Sequence, residues 1–380
     1  ASDVYKRQIV QGEGRGHLTQ AISLEKLLRD NGHEVVEILV GKSETRRLPG
    51  FFHRSVHAPV KQFLSPNFLP SRAKTYMNLP RSVFYNMLRL PEYVESMCYI
   101  NQRIQESGAD IVINFYELLT GLTYFFFRPS VPQICLGHQY LFLHKDFELP
   151  KQNRCSLFLM NVFSRLTSLR AKCRLALSFR SMPKDGKTHV VPPLLREDVF
   201  TQEVSSGNYI HGYMLNVGFA ENVCQWHNEH PEVPLRFFWD SWGEEPVKKV
   251  DDTLSFYQLD DVEFLRQMAG CKAYASTAGF ESVCEAMYLG KPLLMVPAHI
   301  EQECNAFDAV KNGAGIVSTN FNLDHLLAFA ENYRPNPDFV RWVQSSRYVM
   351  LDELEQFIPQ NQIHHMYMVC LLYTSDAADD

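Results

Sequence analysis

Residues 12–21 read GEGRGHLTQA, with three glycines and a histidine in the first six positions and helix-forming residues after them. Gly12, Gly14 and Gly16 permit a tight turn and close approach of backbone to a ligand, with Arg15 in the same loop. The helix behind them offers unpaired N–H groups to an anion such as a diphosphate, or lines an acceptor site. His17 stands at the mouth of that turn, either as a proton acceptor or as a packed, hydrogen-bonded ring. A second constellation is STAGFESVCEAMYLGKPLLMVP at 276–297. Thr277, Ala278 and Gly279 carry the chain from a strand ending at Ser276 into a helix starting near Phe280. The N-terminus of that helix suits a diphosphate, and the Ser282 hydroxyl adds a donor. Glu285 can accept from a ribose diol; it lies six residues past Gly279, about 600° round the helix, so the two grip different parts of a ligand.

Three further groups belong to the same reading. HIEQECNA at 299–306 opens the next helix at the same edge, where the Gln302 amide can both donate to and accept from sugar hydroxyls. Glu117, in NFYELLTG, follows a strand; it either orients His17 or is a helix-start carboxylate favoured by the dipole. His138 and His144, in GHQYLFLH, read as packing residues. Two rival motifs fail. A dinucleotide fingerprint requires a third glycine where His17 stands and an acid at the tip of the second strand, which instead runs into Gly41. A phosphate loop requires a Gly-Lys-Ser/Thr that is absent after the first turn.

These groups need strands and helices to hold them. Leu18–Asn31 is amphipathic, with Ala21, Ile22, Leu24, Leu27 and Leu28 on one side, and Gly32 stops it. HEVVEILVG follows as a strand, so the opening is a βαβ unit and the sheet is parallel. Further strands are predicted at Ile111–Asn114, Gln133–Leu136, Leu175–Phe179 and His189–Val191. PPLLREDVFTQEVSSGN then reads as a linker. A second series begins at YIHGYMLNVG, with strands at Leu235–Trp239, Thr253–Tyr257, Ala273–Ser276, Leu293–Val296 and Gly315–Ser318. Helices fit Asp260–Ala269, Phe280–Leu289, Glu303–Asn312 and Leu323–Glu331, and VQSSRYVMLDELEQFI is a closing helix. The predicted organisation is a first α/β domain at 9–197, a second at 208–345 and a closing helix at 346–358. Two such domains leave a cleft, and ligands bind at the C-terminal ends of the strands, where both motifs fall.

The bulk numbers fit this. The 380 residues are 46% hydrophobic and 21% charged, enough for two ordinary cores. A net charge of −6 argues against nucleic acid as partner. Nine scattered cysteines without a C-x-x-C pair suit reduced thiols and a cytoplasmic setting. The most apolar stretch, Ile111–Phe127, holds Asn114 and Glu117 and is short for a bilayer span. Residues 42–90 carry nine Lys or Arg against the single Glu44, a local charge of +8, interleaved with Phe51, Phe52, Phe63, Phe68, Tyr76, Phe84 and Tyr85. That pattern suits either an anionic membrane surface, as for a peripheral enzyme on the inner face, or a solvated loop over packed aromatics. ASDVYKRQ at the start and CLLYTSDAADD at the end look foreign to the fold, so residues 1–8 and 370–380 are read as tails, leaving Ile9, Val10 and Gln11 of the first strand.

GRGHLTQAISLEKLLRDNGHEV, TAGFESVCEAMYLGKP and EQECNA together resemble the GT-B glycosyltransferases. The chain is similar to the N-acetylglucosaminyltransferases that form lipid II and to the UDP-glycosyltransferases of small molecules. The resemblance implies two Rossmann-like domains facing across a cleft, with a final helix returning to the first. It implies a nucleotide-sugar donor on the second domain, an acceptor hydroxyl on the first, and no metal or other cofactor. Residue by residue, Gly279, Ser282 and Glu285 match a G-x-x-S-x-x-E array whose Glu binds ribose. Glu301 and Gln302 match a donor-sugar pair, followed by Asn305 and Ala306, and His17 matches a general base. Thr277 replaces a phosphate-binding histidine and Glu301 replaces Asp, departures that bear on which nucleotide sugar is used. The resulting expectation is an inverting transferase acting with a UDP-sugar on a soluble or lipid-linked acceptor. A sugar-nucleotide epimerase of the same fold and a non-catalytic sugar-nucleotide binder are the alternatives.

Overall fold

A computed structural model describes residues 5–11, 15–43, 48, 50–66, 86–214, 217–239 and 245–358. Gly12 and Gly14 therefore lie outside the described residues, as do Arg46, Arg47, Phe68, Arg72, Lys74, Tyr76, Arg81, Phe84 and Tyr85 of the basic segment.

The first half is one seven-stranded sheet, β1 (Tyr5–Gln11), β2 (Glu34–Lys42), β3 (Val60–Leu64), β4 (Ile111–Phe115), β5 (Gln133–Leu136), β6 (Cys173–Leu177) and β7 (Thr188–Val191), in the order β3-β2-β1-β4-β5-β6-β7. Every pairing is parallel, as crossover helices require. α1 (Arg15–Asp30) covers one face through Leu18, Ala21, Leu24 and Leu28. α2 (Gly50–Ser55) adds Phe52 to that layer. α3 (Leu90–Glu106) and α4 (Leu118–Phe126) cover the other face, packing Tyr93, Met97, Ile100, Leu119 and Tyr124 on Ile9, Leu39 and Val112. α5 (Arg154–Thr167) extends that second layer over Cys135 and Ala176.

The second half repeats the architecture with β8 (Ile210–Met214), β9 (Leu235–Trp239), β10 (Val247–Lys249), β11 (Leu254–Gln258), β12 (Ala273–Ser276), β13 (Leu293–Met295) and β14 (Gly315–Val317). Their order is β10-β11-β9-β8-β12-β13-β14, parallel except where β10 meets β11. The helices are α6 (Ala220–Glu229), α7 (Asp261–Gly270), α8 (Phe280–Tyr288), α9 (Ile300–Lys311) and α10 (Asp324–Asn332), followed by α11 (Pro337–Gln344) and α12 (Ser346–Glu355). α12 packs against the first half: Glu353 receives His189 at 2.6 Å and Lys184 at 2.9 Å, and Arg347 donates to Asn31 at 2.7 Å.

Three expectations change. The first strand is seven residues long, because Tyr5–Gln8 continue the ladder on β2 and Lys6–Gln8 continue it on β4. Lys6 and Arg7 are consequently buried at the sheet centre; Arg7 pairs with Glu37 at 2.9 Å, and burial pushes Lys6 down to about 7. The closing segment is two helices broken at Ser345 rather than one. The basic segment is not only loop: Val60–Leu64 pairs with β2, and Phe52 and Phe63 enter the core. Among the described residues no helix is long and apolar enough to cross a membrane.

Candidate active site

Five segments that follow strands meet at the cleft. From the first sheet come the β1–α1 turn with His17, the β4–α4 turn with Tyr116 and Glu117, and the segment after β5 with His138 and Gln139. From the second come the β12–α8 turn, holding Thr277 to Glu281, and the start of α9, holding Glu301 and Gln302. Tyr116 and Ala278 each adopt a left-handed backbone, φ 62° and 61°, at the ends of β4 and β12. A side chain there costs about 1–3 kcal/mol, a strain that collects at functional sites.

His17, in the first turn of α1, is buried, and its ring stacks on Tyr116 with centroids 5.8 Å apart. Its Nδ1 lies 3.4 Å from Gln20 Oε1, and its Nε2 3.4 Å from Gln139 Nε2. Burial pushes the ring down to about 4, with the Gln20 bond opposing it, so His17 is neutral at pH 7. Each glutamine also reaches a carboxyl of the other half. Gln20 donates to Glu281 at 2.6 Å, and Gln139 to Glu301 at 3.1 Å. Burial raises Glu281 to about 8 and Glu301 to about 7. The site is therefore a histidine between two amides, each tied to a half-buried carboxyl across the cleft.

The residues expected on the donor side lie at the starts of two neighbouring helices, α8 and α9. Asn305 donates to the Ala278 carbonyl at 3.2 Å, which locks the turn before α8. Gly279 is the N-cap of α8, with only Ser282 Oγ, at 3.8 Å, near where a Cβ would stand. Ser282 returns its hydroxyl proton to the Gly279 carbonyl at 3.2 Å. Gln302 spends its oxygen on the Ala298 N–H at 2.9 Å, leaving the amide nitrogen for a ligand. Glu285 is held bidentately by Arg196, at 2.6 and 3.1 Å, so only its remaining lone pairs stay open to a further donor. Thr277 Oγ1, Gln139 Oε1 and Glu281 Oε2 are buried without a hydrogen-bond partner among the described residues. Orphaned polar atoms of this kind mark a place for a polar ligand.

Glu117 is not the partner of His17. Its carboxylate caps α4, accepting from the Thr120 N–H at 2.6 Å and the Thr120 hydroxyl at 2.8 Å, while Ser65 takes the other oxygen at 2.7 Å. The helix-start alternative describes it. His138 stacks on Phe280 with centroids 3.8 Å apart and bonds the Leu177 carbonyl, and His144 bonds the Pro183 carbonyl. At Gly16 a Cβ would stand 3.3 Å from Glu281 Cγ. A cavity of about 500 Å³ lies elsewhere, lined by Phe179, Arg180, Phe339 and Trp342 among others; no residue of the His17 cluster lines it.

Gln20, Tyr116, Gln139, Arg196 and Glu281 were missed from sequence. Only Gln20 carried a signal, since it follows His17 by three on one helix face. The others come from distant segments.

Comparison with known proteins bears on the fold. No curated protein matches the chain in sequence. Solved structures do match in fold. The glycotransferase of kitacinnamycin superposes with a TM-score of 0.64 at 12% identity, covering 94% of this chain and 100% of its own. LpCGTa in complex with UDP gives 0.62 at 14%, covering 94% and 99%. Phytolacca americana UGT2, complexed with UDP-2fluoro-glucose and pterostilbene, gives 0.56 at 12%, covering 92% and 94%. At such identities the likeness is one of fold, and it is the two-sheet GT-B fold of glycosyltransferases. The family model described as glycosyl transferase family 1 matches residues 7–333, from the first strand to beyond the last, and the chain belongs to that family.

Proposed function

We propose that this chain is an inverting glycosyltransferase that moves a sugar from a UDP-sugar to an acceptor hydroxyl, with His17 as general base and no metal in the chemical step. The observation that carries it is the 2.6 Å contact of Gln20 with Glu281, which sets the His17 helix directly against the N-terminus of α8. A base and an anion site then face one space. The acceptor hydroxyl gives its proton to His17 Nε2 as its oxygen bonds to the anomeric carbon. On the opposite face the bond from that carbon to the diphosphate oxygen breaks, and its electron pair leaves with the nucleotide. The α8 N–H groups and the Thr277 hydroxyl stabilise the departing charge. Glu285, oriented by Arg196, receives the ribose, and Glu301 and Gln302 receive the donor sugar. Structures of the same fold were solved with UDP and with UDP-2fluoro-glucose, which supports the choice of nucleotide.

The test is His17→Ala with saturating donor and acceptor from a panel of UDP-sugars. Turnover falls about 10²–10⁴-fold, the range for a positioned base, while UDP affinity by calorimetry changes little. Near-normal turnover removes His17 as base. Conversion of the donor to an isomer without acceptor moves the reading to an epimerase, and UDP binding without turnover of any donor moves it to a binding protein. For the acceptor, a lipid-linked hydroxyl is favoured over a soluble one by Met87, Leu88, Leu90 and Val94, which stand exposed at and before the start of α3 beside the basic segment.

A further inference from the structure

A buried neutral imidazole is a poor base unless something orients it. We propose that Glu281, from the second half of the chain, is the positioning carboxyl group of His17 and acts through the amide of Gln20. This rests on the reading of His17 as base.

Two contacts fix the ring in the same way. Gln20 Nε2 donates to Glu281 Oε1 at 2.6 Å, so its oxygen is the end that faces His17 Nδ1, at 3.4 Å. Nδ1 must then carry the proton. Gln139 Nε2 donates to Glu301 and faces His17 Nε2, so that nitrogen presents its lone pair. Both amides select the tautomer whose free lone pair is on Nε2, the atom that takes the acceptor proton. Neither amide is oriented by the ring alone; each is oriented by a carboxyl across the cleft.

The surroundings are shaped for this contact. Gly16 leaves the space that Glu281 Cγ approaches, at 3.3 Å from where a Cβ would stand. Glu281 Oε2 is buried with no partner among the described residues, so that oxygen has no competing bond. The charged groups acting on Glu281 are Glu285, one turn along α8, and Arg196, which neutralises Glu285. Glu117 is committed to its own helix cap. Gln20 and Glu281 lie 261 residues apart in helices of two different sheets, so the orientation of His17 depends on how the two halves of the chain pack together.

The experiment combines Gln20→Ala, Glu281→Ala, the double variant and Glu281→Gln. The readouts are kcat, donor KM, and the ¹⁵N signals of the His17 ring, assigned by their loss in His17→Ala. Either single Ala variant is expected to lower kcat tenfold or more, with donor KM within about twofold and the Nδ1–H signature lost. The double variant is no worse than the worse single, because both break one chain. Glu281→Gln keeps an oxygen for the Gln20 amide and preserves the tautomer. Multiplicative losses in the double variant overturn the proposal, as does a Glu281→Ala that raises donor KM with the ring tautomer unchanged. The ring signals respond whether or not His17 is the base. A failed base reading therefore shows in His17→Ala kinetics, and a failed relay in the tautomer.

Discussion

Glu281→Gln is expected to stabilise the substrate-free protein, and to do so increasingly as pH rises. The carboxyl has its usual value of 4.5 when unfolded and about 8 when folded, with burial as the main cause. A folded-state value above the unfolded one means that the native state holds the proton longer. Stability is then complete below pH 4.5 and is lost as pH climbs through 8. At about 1.4 kcal/mol per pH unit, the group costs the native state about 1 kcal/mol at pH 5 and about 4–5 at pH 8.5. Glutamine, of nearly the same shape, cannot ionise. The gain over wild type should therefore grow by about 4 kcal/mol between those two pH values. Urea unfolding followed by tryptophan emission suits the measurement, since Trp226 and Trp239 lie in the core of the second sheet, the half that contains Glu281. An equal gain at pH 5 and pH 8.5 would refute the reasoning, because it would mean that Glu281 titrates as an exposed carboxyl and that its contact with Gln20 does not exclude water.

Three further outcomes follow from the site and its surroundings. Glu285→Ala should weaken UDP binding by about 1.5–3 kcal/mol, the worth of bonds to a charged acceptor, and Arg196→Ala should cost about 3–5 kcal/mol of stability by leaving that buried carboxylate unpaired; unchanged UDP affinity in calorimetry removes Glu285 from the site. Anionic vesicles should float with the protein at low salt and release it as salt is added; equal binding to neutral vesicles, or none at low salt, removes the lipid-acceptor reading.

The sheet framework was legible because its signals are local. Gln133–Leu136, Leu235–Trp239 and Ala273–Ser276 are short apolar runs bounded by turn residues, and they form strands with those bounds. α1 starts at Arg15, three residues before its apolar stripe, since polar first-turn residues carry no periodicity. β3 was hidden inside a basic segment: Val60–Leu64 is an edge strand carrying Lys61, which pairs with Glu37 at 3.0 Å, so its composition reads as surface. Lys6 and Arg7 misled in the opposite direction, because charged residues argue against a central strand and tertiary pairing overrode that preference.

The candidate site divides along the same line. His17, Gly279 and Glu285 could be read because each sits at a turn or helix start whose chemistry follows from its neighbours in sequence. What those groups do depends on partners that sequence spacing cannot supply. His17 would titrate near 6.5 if exposed, and burial beneath Tyr116 and the opposing helix takes it to about 4. Glu281 drew no reading from sequence, and the structure makes it the carboxyl that Gln20 links to His17. Glu117 read equally well as a catalytic partner and as a cap, and only Ser65 and Thr120 decide it. A desolvated group takes its charge state from whatever excludes water from it. In a protein of two facing sheets, that is the other half of the chain.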